Sequence, residues 1–279
     1  MATVHKYCFA KTIGAFAEKI VELMNKAPLV SIVIPCYNYA HFLPEAIESA
    51  LHQTYANVEI LVVDDGSTDN TPGVAAGYKG RVSYHRKPNG GLSQARNYGA
   101  RLCHGEYVVF LDADNRLEPT FVQECLGMFA VHPNAAFVYT QLRHFGDLNY
   151  VTDHPAYDPA RLKRGNYIDA CSLLKTDLVR HYPYDEKNRT SWEDWDFYLT
   201  LAENGFYGVL LNKPLVWYRR HGENMTKKLD PLIKQRLRVS ILKRHLRLVG
   251  LRMYSQQLWR FYRLVLGRYW RNSLNVMQG

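Results

Sequence analysis

The chain has 279 residues, 47% of them hydrophobic and 22% charged, enough apolar material for one large α/β domain with appendages. No stretch reaches the roughly 18 to 20 uninterrupted apolar residues of a membrane span, and Glu18, Lys19 and Glu22 interrupt the N-terminus where a signal peptide would be apolar, so a cytosolic protein is expected. The net charge of +9 is localised: eleven Lys and Arg follow Asp230 with no acid among them, which leaves 24 bases against 26 acids in residues 1–230 and makes a near-neutral body with a basic tail.

Residues 13–24 set Ile13, Phe16, Ala17, Ile20, Val21 and Met24 at helical spacing, which predicts an amphipathic leader helix over a segment 1–27. The body begins near Pro28. "LVSIVIP" is a β-branched strand stopped by Pro35, and "FLPEAIESALHQ" places Leu43, Ala46, Ile47, Ala50 and Leu51 on one helical face. "VEILVVDDGSTD" is a second buried strand ending in acids, and "VSYHRKPNGG" is a third closed by a Gly-rich turn. "LSQARNYGARL" reads as a helix, "VVFLDADN" as a strand, "EPTFVQECLGMFAVHP" as a helix and "AAFVYTQL" as a strand. Such alternation predicts a Rossmann-like, mostly parallel twisted sheet flanked by helices. Ligands bind such sheets at the carboxyl ends of the strands. Three polar clusters fall there: Cys36-Tyr37-Asn38, Asp64-Asp65-Gly66-Ser67 and Asp112-Ala113-Asp114-Asn115.

Asp-x-Asp after a buried strand either solvates a turn or holds a hard cation such as Mn2+ or Mg2+ together with substrate phosphates. Asp64 and Asp65 either form turns or accept from a nucleobase or ribose. Asn89, Gly90 and Gly91 precede a helix carrying Arg96, an arrangement suited to phosphate. In "TSWEDWDFYLTLAENG", Ser191 and Asp194 are spaced nearly as a capping box, with Trp195, Tyr198, Leu199 and Ala202 on a candidate core face. The alternative is chemical: Trp192 and Trp195 offer faces to sugar rings, while Glu193, Asp194 and Asp196 supply a carboxylate whose proton affinity a dry setting would raise to that of a working base. The five cysteines, Cys8, Cys36, Cys103, Cys125 and Cys171, are scattered without a CxxC pair and suggest neither disulfides nor zinc.

Taken in order, "SIVIPCYN", "VVDDGSTD", "NGGLSQARNYG", "FLDADN", "WEDWDF" and "YRRHGENMT" resemble the inverting family 2 glycosyltransferases of GT-A fold over residues 28–226. The resemblance implies a nucleotide-sugar donor, with a UDP-sugar expected, and a saccharide or lipid-linked saccharide acceptor. It implies donor contacts at Pro35, Tyr37, Asn38, Asp64, Asp65, Asn89, Gly91, Arg96 and Asp112. It further implies a divalent metal (Mn2+ or Mg2+) at Asp114, Asp112 and His221 and a catalytic base at Asp194 assisted by Glu193; the sugar-facing rings of Trp192 and Trp195 are then the expected acceptor-binding residues. Asn115, Arg116 and Leu117 depart from the family, where another acid or a small residue often follows the acids. "VVFLDADN" also resembles the first motif of haloacid-dehalogenase-type phosphatases, with Asp112 as nucleophile and Asp114 as acid, but that motif wants Thr or Val where this chain has Arg116. A non-catalytic nucleotide-sugar or glycan-binding module is a third reading.

The tail, residues 227–279, sets Ile233, Leu237, Ile241, Leu242, Leu246 and Val249, then Leu258, Trp259, Phe261, Tyr262, Val265, Leu266 and Trp270, at near-helical spacing among arginines. It is read as a basic helical extension that either packs on the body as a lid or homodimer face, or lies on an anionic membrane surface. The second use would place the protein at the inner face of the cell membrane. No nucleic-acid motif accompanies the charge.

Overall fold

A computed structural model describes residues 27–222 and 230–277. The leader helix expected over residues 13–24 lies outside the described residues. Strand β1 (Val30–Cys36) is buried along its whole length because it runs between β2 (Val58–Asp64) and β4 (Tyr107–Phe110), both parallel to it. A strand flanked and covered on both faces reads as a continuous apolar run instead of alternating. Pairing with β4 ends at Val33 opposite Phe110, so Pro35 falls where one flank of β1 is already free, a position that tolerates a residue without N–H. Strand β3 (Ser83–Arg86) adds to β2, again parallel.

Helices α1 (Leu43–Leu51), α2 (Thr71–Ala76), α3 (Leu92–Leu102) and α4 (Phe121–Val131) connect these strands. Ile32 and Ile34 of β1 join α1 and α4 in one core, while Val33 joins α3 in another on the opposite face, as the twofold alternation of a strand requires. The quartet β3-β2-β1-β4 is the parallel sheet expected from sequence, and its carboxyl ends share one edge.

Beyond β4 the sheet becomes mixed. After the long strand β6 (Phe137–Gly146), which β7 (Tyr150–Val151) flanks, come α5 (Pro159–Leu162), β8 (Leu173–Lys175), α6 (Thr176–His181), α7 (Glu193–Glu203) and β9 (Gly208–Arg220). β8 inserts antiparallel between β4 and β6, β9 runs parallel to β6, and β5 (Arg116–Leu117) closes the edge antiparallel to β9. The order is β3-β2-β1-β4-β8-β6-β9-β5.

The basic extension forms α8 (Pro231–Arg244), whose first turn is capped by the Asp230 carboxylate accepting from the Leu232 amide at 2.7 Å. Then follows α9 (Leu246–Met277), broken at Gly250, where φ is 76°. Ile241, Leu242 and Val249 are buried in the core beneath α7. The proximal half of the extension is therefore integral to the fold.

Candidate active site

The rim over β1 and β2 is a closed hydrogen-bond network. The Asp65 carboxylate accepts from the Gly90 amide at 2.9 Å and the Gly91 amide at 2.7 Å, and it pairs with Lys87. Asp64 is fully buried and accepts from the Ser67 amide at 2.7 Å and from the Tyr84 hydroxyl. Asn89 donates to the Asp65 carbonyl at 2.9 Å. Gly91 starts α3 at φ 92°, backbone that favours glycine. Asn38, at φ 58°, accepts from the Thr68 amide at 2.7 Å. These side chains shape the loop from within. Tyr37 points outward, 48% exposed, immediately past Pro35 and the end of β1.

The next layer is ionic. Arg96 extends from the second turn of α3 and is only 1% exposed. Its guanidinium donates to Asp112 at 2.8 Å and to Glu193 at 2.7 Å, under the ring of Tyr184, whose centroid lies 5.3 Å away. Its Nε is buried without a hydrogen-bond partner. One cation thus ties the strand-end acids to the first residue of α7, although Asp112 and Glu193 are far apart in sequence. On the other side Asp114 lies 2.9 Å from His221 Nε2. The His221 ring is held by Phe42 at 5.1 Å and Tyr39 at 5.9 Å. Burial, then the charge of Asp112, raises the Asp114 carboxyl, with His221 partly offsetting them.

Among the described residues no three His, Cys, Asp or Glu side chains converge as a metal cage. Asp114 and His221 nevertheless fit a hard divalent cation as a two-ligand pole, because Asp114 carries an uncomfortable neighbouring charge that a cation would relieve. Diphosphate oxygens and water normally complete such a shell. Asp112 is committed to Arg96 and is the weaker ligand candidate.

Asp194 occupies the first turn of α7. Its Oδ2 accepts from Asn166 at 2.8 Å and its Oδ1 from the Trp195 amide at 2.7 Å. Burial raises its proton affinity well above the carboxylate norm, the charges of Glu193 and Asp169 add to this, and Arg96 opposes it. Asp169, which accepts from the Cys171 amide at 2.8 Å, is pushed up to about 7, by burial first and then by Asp112. Asp112, Asp169, Glu193 and Asp194 therefore form one acidic group around Arg96, and Asp114 adjoins it through the charge of Asp112.

Two expectations need correction. Trp195 cannot be an acceptor platform: it is 1% exposed, and its indole N–H donates to the Leu162 carbonyl at 2.7 Å. Helical spacing turns it inward with Leu199. The spacing of Ser191 and Asp194, close to that of a capping box, also misses the helix start by one residue: the N-cap of α7 is Trp192, in left-handed backbone at φ 60°, which offers no side-chain hydrogen bond. Trp192, at the N-terminal end of α7, is half-buried, edge-on to the Trp195 ring at 6.0 Å. Asn166, Asp169 and Tyr184 were missed by sequence reasoning because they sit on segments without periodicity or motif.

A family model described as "Glycosyl transferase family 2" matches residues 31–185. The chain is 32% identical over 252 residues to a chondroitin synthase of Escherichia coli, an alignment covering 85% of this chain and 36% of that protein. It is 34% identical over 220 residues to a hyaluronan synthase of Pasteurella multocida, covering 72% of this chain and 21% of that one. The chain thus spans about a third or less of the length of these relatives. In fold it resembles the crystal structure of S. aureus TarS 1-349 in complex with UDP-GlcNAc, with a TM-score of 0.64 at 18% identity over 76% of this chain and 66% of that one. It also resembles the mannosyltransferase PcManGT from Pyrobaculum calidifontis in complex with GDP-Man and Mn2+, with a TM-score of 0.60 at 17% identity over 86% and 74%.

Proposed function

From the premise that the chain belongs to glycosyl transferase family 2, we propose that it transfers a sugar from a nucleoside-diphosphate sugar to an acceptor hydroxyl in one inverting displacement, with Asp194 as base. The observation that carries this reading is the Arg96 bridge, which brings the Asp112 strand end and the Glu193–Asp194 turn together around one cation. Tyr37 and the loop braced by Asn38, Asp64 and Asp65 would receive the nucleobase, for which uracil is the proposed identity; Arg96, buried between Asp112 and Glu193, would act on the diphosphate through its charge and by bracing the floor of the site. Asp114 and His221 would hold Mn2+ or Mg2+, which when bound neutralises charge on the departing diphosphate. The half-buried Asp194 carboxylate takes the acceptor proton as the hydroxyl attacks from the face opposite the leaving group. Glu193, fixed by Arg96, orients that turn. Trp192 remains the candidate surface for the acceptor, proposed as a saccharide or lipid-linked saccharide.

Asp194→Asn keeps the side chain's shape and removes the base. Transfer is expected to fall at least about a hundredfold while calorimetric binding of the donor with Mn2+ is retained. Near-parental turnover would refute the base, whereas a parent that binds the donor and transfers nothing would favour a binding module. The phosphatase reading is set aside, because Asp112 is engaged by Arg96 and the family match spans its motif.

The extension supports a second contact. Beyond Gln257 of α9, Trp259, Tyr262, Leu264, Val265 and Leu266 are exposed among Arg260, Arg263 and Arg268, a composition suited to an anionic membrane surface.

A further inference from the structure

Helix α7 carries the proposed base in its first turn, and its N-cap residue, Trp192, stands in left-handed backbone and offers no side-chain hydrogen bond. Contacts from other elements therefore help to set its orientation. From inside, Arg96 holds Glu193. From outside, the hold comes from the C-terminal extension. His245, at the junction of α8 and α9, is 3% exposed, and its two ring nitrogens each lie 3.0 Å from a carboxylate of α7: Nε2 from Asp196 and Nδ1 from Glu203. Asp196 and Glu203 are seven residues apart, two turns along one face, so a single ring spans the helix from its first turn to its last. A neutral imidazole has one N–H and can satisfy only one of these acceptors; the imidazolium satisfies both.

The charged groups facing the ring are those two carboxylates and the neighbouring Arg244, which reaches Asp196 at 2.9 Å and also pairs with Asp185 in the loop before α7. Asp196 is itself 1% exposed, so water cannot replace a lost partner. Arg238 of α8 adds a contact from the same side, stacked 5.1 Å from the Trp195 ring centroid.

We propose that His245 is a positioning residue: as an imidazolium held between Asp196 and Glu203, it fixes the orientation of α7 and hence the place of the Asp194 carboxylate. The inference rests on the reading of Asp194 as base. The basic extension then has a role inside the reaction, independent of any surface its distal half meets. The two carboxylates raise the proton affinity of His245 against the burial that lowers it, so the charged form persists above the usual histidine range and is lost as pH rises further.

The test uses the full chain and two substitutions. His245→Gln supplies no cation; His245→Lys supplies one that does not titrate near neutrality. For His245→Gln, kcat is expected to fall about tenfold or more while the donor KM stays within about twofold, the signature of a misplaced catalytic group. For His245→Lys, most of kcat should return and the alkaline limb of the kcat profile should move to higher pH. A merely structural role would lower the melting temperature of both variants without moving that limb. Histidine-selective nitrogen NMR on the unliganded wild type adds a readout independent of turnover, and a ring that is neutral near pH 7 would overturn the proposal. If the wild type transfers no sugar, the base reading falls and this inference with it. If it transfers and both variants keep the parental kcat and limb, only the inference falls.

Discussion

At the scale of single residues, the site is a contest between burial and charge, and Asp194 shows which side wins. Its carboxyl is raised by desolvation and by two neighbouring acids, yet the base proposed for it must be ionised, so every donor that favours the charged form counts. Asn166 is such a donor, 2.8 Å from Oδ2. Asn166→Ala should therefore raise the Asp194 proton affinity further and move the acidic limb of kcat/KM upward by about one pH unit, the size of one hydrogen bond to a charged group; a pH–rate profile checks this. Asp169 makes the complementary case in stability. Its folded value of about 7 lies above its ordinary 3.8, so between those values the folded chain keeps a proton that the unfolded chain has lost. Stability of the metal-free protein then falls as pH rises through that window and levels off above it. Asp169→Asn removes the titration, so its melting temperature relative to the parent should rise across the same window in calorimetric scans. Neither residue was legible in the sequence, because Asn166 and Asp169 gain their roles from contacts across the fold. Asp112, Asp114 and Asp194 were legible, since an acid next to a buried strand or inside an aromatic run is out of place until chemistry explains it.

At the scale of elements, β1, β2, β4, α1 and α3 follow their sequence patterns, because local periodicity and parallel burial act in the same direction. β5 and β8 have two or three residues each and exist only through antiparallel partners distant in the chain, while β7 is a two-residue return of the hairpin with β6, too short for a periodic pattern to mark it. The start of α7 lies one residue past the spacing at Ser191, at Trp192, and its first turn is engaged by contacts that no local spacing reveals, Arg96 with Glu193 among them. Helix α3 illustrates how closely an element must sit to place a side chain. A Cβ on Gly99 would meet Val33 Cγ1 at 2.4 Å, so glycine there lets α3 lie directly on β1, with Arg96 one turn earlier reaching Asp112. Gly99→Ala should push the two apart, destabilising the fold by about 1–3 kcal/mol in denaturant titrations. Donor affinity should weaken in the same variant, because Arg96 moves with the helix.

At the scale of the whole molecule, charge and exposure divide the extension into two halves with different work. The near half gives Ile241, Leu242, His245 and Val249 to the core. The far half of α9 buries almost nothing: Trp259, Tyr262 and Leu266, at i, i+3 and i+7, are 60%, 55% and 56% exposed along one stripe, with Arg252 and Arg263 beside it. No helix among the described residues is long and apolar enough to cross a membrane, so the stripe suits the interface and not the interior of a bilayer. A second copy packed on it would set arginine against arginine, since no acid follows Asp230; anionic lipid would neutralise the same charges at about 1 kcal/mol per basic residue near the surface. The full chain should therefore sediment with phosphatidylglycerol vesicles, stay in the supernatant with phosphatidylcholine, and be released by salt as the Debye length shortens. Because truncation at Asp230 would strip the core, the control is Trp259→Gln, Tyr262→Gln and Leu266→Gln together, which leaves His245 and the packed turns in place. That variant should lose vesicle binding while keeping its melting temperature. Unchanged sedimentation with vesicles would remove the membrane role, and a concentration-dependent dimer abolished by the same three changes would assign the stripe to self-association.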